Sequence, residues 1–91
     1  MSRKIVGGGA KGEPELGPGV LAEVAVFGAT LQNEVRVLRG VQVVGTLASG
    51  SAVGTRAALT TTDFPIAQPC RIQIMTAGDQ VACEFNGYPK G

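Results

Sequence analysis

From Val20 onward the apolar residues recur with a period of two, and this alternation restricts the chain more than any other feature. In "VLAEVAVFG" the even positions Val20, Ala22, Val24 and Val26 are apolar while Glu23 lies on the odd side, as in a half-buried strand. The block "EVRVLRGVQVVGTLA" continues with Val35, Val37, Val41, Val43 and Leu47 on one side and Arg36, Gln42 and Thr46 on the other. Arg39 and Gly40 interrupt the series, where a bulge or strand break fits. No stretch offers three turns of an amphipathic helix. The expected fold class is all-β, a small sandwich or partly closed barrel of about five or six short strands with an extended N-terminal arm.

Matching apolar faces suggests the strand pairing. Beyond the Ser-Gly-Ser turn at 49–51, Val53, Thr55, Ala57 and Leu59 can lie opposite Leu47, Gly45, Val43 and Val41. In "CRIQIMTAGDQVACEF", a two-residue loop at Gly78-Asp79 sets Ile72 against Phe85, Ile74 against Cys83 and Thr76 against Val81. Cys70 then lies roughly 13 Å along the sheet from Cys83, beyond disulfide reach, so both are expected to be reduced, buried thiols. Pro65 and Pro69 in "TTTDFPIAQP" break regular structure and mark a connection that crosses between sheets or barrel ends.

Ahead of the alternating region stands "MSRKIVGGGAKGEPELGPG", six of whose nineteen residues could grip anything and the rest of which reads as a tether of Gly and Pro. Residues 1–19 are therefore expected to form a flexible arm and residues 20–91 the β domain. Arg3, Lys4, Ile5 and Val6 are the candidate partner-binding residues of the arm. The run "GGGAKG" lacks the Gly-Lys-Ser/Thr ending of a phosphate loop.

Composition narrows the chemistry. The chain has no His and two Cys, and of its seven carboxylates only Glu13 and Glu15 lie close together, on the arm. No catalytic, cofactor-binding or metal-ligating set is expected, so the chain reads as a non-enzyme. Eight Lys plus Arg against seven Asp plus Glu give a net charge of +1, a weak field for nucleic acid or an anionic membrane. Phe27, Phe64, Phe85 and Tyr88 do not interleave with Arg36, Arg39, Arg56 and Arg71 as a stacking surface for single strands would. The apolar runs are too short for a membrane helix, and no secretory signal opens the sequence. A domain of about 72 residues buries only about 60% of its unfolded surface, yet several strands carry apolar residues on both faces. Leu38 and Val44, on the second face of the 35–47 block, are the candidate subunit-interface residues.

A short β chain without His or Trp, rich in Gly, Ala, Val and Thr and led by "SRKIV", resembles in overall layout the small decoration or cement proteins of tailed-bacteriophage heads. The resemblance implies a structural virion protein, made in the host cytoplasm and placed on the outer surface of the capsid. Its partners would be the major capsid protein and itself, often as a homotrimer, with the arm ordering on the shell by adding a strand. The residues alone also allow a small oligomeric β-barrel that binds a ligand or single-stranded nucleic acid.

Overall fold

A computed structural model describes residues 2–87 and shows eight strands and no helix among them. They form two four-stranded antiparallel sheets packed face to face, a sandwich and not a closed barrel. Sheet A has the order β1 (Ser2–Gly7), β8 (Gln80–Gly87), β3 (Gly19–Val26), β6 (Asp63–Phe64). Sheet B has the order β2 (Glu15–Gly17), β7 (Cys70–Ile74), β4 (Val35–Arg39), β5 (Gln42–Leu47). The core lies between them and draws Leu21, Val24, Val81, Cys83 and Phe85 from sheet A, with Val35, Val37, Leu47, Cys70 and Ile72 from sheet B.

Period two locates β3, β4, β5, β7 and β8, but it also marks 53–59, which form no strand, and it misassigns faces wherever a bulge shifts the count. In β3, Leu21 pairs with Phe85 and Glu23 with Glu84, so Ala22 is an extra residue. Leu21 is therefore buried and Val20 and Ala22 are exposed, while Val24 and Val26 keep the expected inward side. In β5, Gly45 pairs with Val37 but Val43 with Leu38, which makes Val44 the extra residue. Val44 turns into the core, and Val41 and Val43 turn out. The 35–47 block is itself a hairpin, closed by Gly40-Val41 with Gly40 at φ +61°, a value that L side chains rarely adopt.

Three expectations are replaced. Residues 53–59 form no strand beside β5; they bridge the open side of the sandwich, with Val26 N–H donating to Thr55 O, Ala57 N–H to Val24 O and Thr60 N–H to Val44 O. β7 and β8 do not form a hairpin with each other, because each crosses to its own sheet and presents its apolar side to the same core from opposite layers. The prolines do mark a crossing, since β6 belongs to sheet A and β7 to sheet B.

The third replacement concerns the arm. Residues 2–7 form β1, paired residue for residue with β8 from Ser2↔Phe85 to Gly7↔Gln80. The chain then turns at Gly7 and Gly8, runs past Ile74 through reciprocal hydrogen bonds with Gly12, and enters sheet B as β2. Gly7 is required there: a Cβ on it would collide with the Asp79 carbonyl oxygen. What reads as a tether in the sequence is held by the fold, because β8 and β7 each need a neighbour on that side and Val6 completes the core.

Candidate docking surfaces

The alternation of β1 divides the four arm residues into two pairs. Lys4 and Val6 lie opposite Cys83 and Val81, on the core side, and Val6 is only 4% exposed. Arg3 and Ile5 lie opposite Glu84 and Ala82, on the outer face of sheet A, where both are exposed. The interface pair is corrected as well. Val44 is 1% exposed inside the core, carried there by the β5 bulge. Leu38 does lie on the outer face of sheet B, but Arg71 and Val43 flank it across the neighbouring strands and it is 6% exposed. Neither offers surface to a second subunit. Tyr88 lies outside the described residues.

On the outer face of sheet A the register sets Arg3, Glu84 and Glu23 abreast, and beside them Ile5, Ala82 and Ala25. The Arg3 guanidinium sits over the Phe27 ring at 5.1 Å from its centroid, a cation–π contact. Ala25 and Ala82 are small, and between the Arg3–Phe27 pair and Val53-Gly54 they leave a depression of about 420 Å³. Glu23 and Glu84 are like charges directly opposite each other, which by itself is unfavourable. Arg56 Nε lies 3.3 Å from Glu23 on one side, and Arg3 stands across from Glu84 on the other, so the row reads plus, minus, minus, plus. Among the described residues no group of three or more His, Cys, Asp or Glu could hold a metal ion.

A second surface lies at the end of sheet B marked by the Gly40-Val41 turn. Val41 is 92% exposed, Val43 48% and Ile66 66%, and Gly40 N–H donates to Pro69 O, which brings the 65–69 loop to the same end. Val41 itself, with Glu15, Gly40, Pro69 and Arg71, lines a hollow of about 280 Å³ at this end. Arg71 Nη2 donates to Gly40 O, and its Nη1 lies 3.8 Å from Glu13. Glu15 stands opposite Arg71 across β2 and β7 without forming an ion pair.

A buried carboxylate ties two connections of the sandwich together. Asp79, in the β7–β8 connection, accepts the Gln32 N–H at Oδ1 (2.8 Å) and the Asn33 N–H at Oδ2 (3.0 Å), which pins the 31–33 loop to the opposite connection. The sequence marks Asp79 only as a turn residue; its capping role depends on partners 46 and 47 residues away. Cys70 and Cys83 are buried and unbridged. They lie on different sheets, so the single-hairpin separation expected from sequence does not apply. Burial pushes the Cys70 thiol up to about 12; burial, with the Cys70 charge adding to it and Lys4 opposing, does the same for Cys83.

Comparison with protein-family models, with curated proteins and with solved structures found no match for this chain.

Proposed function

We propose that this chain is a structural, non-enzymatic protein that decorates the outer surface of an assembled shell, docking through the outer face of sheet A. The layout resemblance supplies the kind of shell, a bacteriophage head, and with it the virion location and the major capsid protein as partner. The observation that supports docking is the composition of that face: Val53 exposed at the edge of a depression, Ile5 exposed on the same face opposite Ala82, with Arg3 and the carboxylate row to fix orientation. Strand addition is the less suitable mode. β2 and β6 have three and two residues, β5 is bulged, and β1 carries Lys4 on its core side, each a device that discourages edge pairing. Contact through side chains on a sheet face is weak per copy, and a homo-oligomer gains avidity when several copies dock together.

The test is co-sedimentation with heads assembled from the major capsid protein encoded with this chain. Parent protein is expected to pellet with them, and Ile5→Glu with Val53→Asp to lose attachment at least about tenfold while keeping its circular dichroism spectrum, since two exposed apolar contacts are replaced by charges. Undiminished pelleting of the variant would remove sheet A as the docking face. A parent chain that never pellets would overturn the decoration reading.

A further inference from the structure

We infer that Asn86-Gly87, at the end of β8, is a self-modification site: the Asn86 side-chain amide is lost without an enzyme, and a carboxylate takes its place on the outer side of sheet A. The reaction needs only the chain and water, so it stands apart from what that face docks on.

The backbone nitrogen of the residue after an asparagine closes an imide ring on that asparagine's Cγ when two conditions hold. No side chain must shield the nitrogen, and the local backbone must be able to leave the extended form. Gly87 has no Cβ and a wide range of φ, which meets the first condition and helps the second. The register supplies the rest. Val20 pairs with Gly87 and Leu21 with Phe85, so Asn86 is an extra residue on β8 with no partner across β3. On the other side the β1 ladder ends at Ser2↔Phe85 among the described residues. Phe85 is anchored in the core at 4% exposed, whereas Asn86 is exposed. Beyond the bulge only the Val20↔Gly87 pair holds the described strand, and a terminal pair opens at little cost.

Asn33, the other asparagine of the chain, provides the contrast. Its Oδ1 accepts the Glu34 N–H at 2.8 Å, so the nitrogen that would attack is already engaged. Its own N–H donates to Asp79 Oδ2 at 3.0 Å, which holds the loop in place. Glu34 also carries a side chain beside that nitrogen. The same residue type is locked at 33 and released at 86.

Atoms balance within the chain and water. Gly87 N bonds to Asn86 Cγ, the bond from Cγ to the side-chain nitrogen breaks, and the proton from Gly87 N leaves with that nitrogen as ammonia. Water then opens the imide. Cleavage between Cγ and Gly87 N gives an aspartyl residue; cleavage between the main-chain carbonyl and Gly87 N gives an isoaspartyl link. Neither step exchanges electrons with an outside reagent. Either product takes the formal net charge from +1 to neutral. Asn86 follows the inward Phe85, so the new carboxylate comes out on the side where Glu84 and Glu23 already face each other.

The full chain, incubated at neutral to mildly alkaline pH and sampled over time, tests this. Anion exchange is expected to resolve a growing species with one more negative charge. Mass spectrometry of the tryptic peptide 72–90 is expected to place the change at 86, as a mixture of aspartyl and isoaspartyl forms, with Asn33 unchanged. Conversion should quicken with pH, because the attacking nitrogen must shed its proton. Gly87→Leu is expected to slow it about tenfold or more, since a side chain then shields the nitrogen. Asn86→Gln, whose longer side chain cannot close the same ring, is expected to abolish the new species at an unchanged melting temperature, and it decides the matter where Gly87→Leu disturbs the strand. A folded chain that keeps its amide at 86 while the same chain in urea loses it would show that β8 holds Asn86 extended, and would overturn the proposal. So would conversion at Asn33 ahead of Asn86, or a folded Gly87→Leu chain that converts as fast as the parent.

Discussion

The two thiols show how single residues report on this core. Each has its pKa raised from an ordinary 9.0 to about 12, chiefly because burial disfavours the thiolate. The unfolded chain therefore releases these protons at lower pH than the folded one. Above pH 9.0 the unfolded state binds fewer protons, so stability is fully present below that value and declines as pH rises toward about 12. Both shifts have the same sign, so the two thiols add to one decline. Urea midpoints measured from neutral pH into this alkaline window should fall accordingly, and Cys70→Ala with Cys83→Ala should flatten the decline. An equal alkaline decline in that variant would place its cause in other groups. Burial of both cysteines was legible in the sequence from their place in the alternation. The role of Asp79 was not, because an aspartate in a turn looks the same whether it faces water or caps a distant loop.

At the level of strands, the alternation located β3, β4, β5, β7 and β8 but gave two wrong faces, both at bulges. One inserted residue moves every later side chain to the opposite face, and neither Ala22 nor Val44 carries a local signal of being that residue. The arm failed for a different reason. Composition records what a segment contributes by itself, whereas β1 exists because β8 is exposed on one side until residues 2–7 cover it. Deleting residues 2–7 should therefore damage the fold. Val6 alone represents about 2 kcal/mol of burial, and the bared edge of β8 adds an unpaired row of backbone groups. In a domain of this size that corresponds to a fall in melting temperature of about 10 °C or more. Thermal unfolding followed by circular dichroism would measure it. A truncated chain that melted within a few degrees of the parent would return residues 2–7 to the status of a dispensable arm.

Across the whole molecule, the partners of the strands were the least legible feature. The inward faces of β7 and β8 were read correctly, yet a five-residue connection with Gly-Asp serves a hairpin and a crossing between layers equally well. Only the demand that both layers cover one core decides between them, and that demand is global. The same architecture dictates how the sandwich comes apart. Each sheet's apolar face is covered by the other, the first strand pairs with the last, and residues 53–62 hydrogen-bond to both β3 and β5. Neither sheet has a core of its own to retain, so the two should unfold as one unit. Cys70 and Cys83 provide a probe in each layer. In the single-thiol variants Cys83→Ala and Cys70→Ala, the remaining thiol should become reactive at a denaturant midpoint that coincides with loss of the circular dichroism signal of the same variant. Reactivity of Cys70 well before that loss, with Cys83 still protected, would show that sheet B opens while sheet A persists. Sheet A would then have to keep Leu21, Val24, Val81 and Phe85 out of water without its cover, which a single four-stranded layer cannot do.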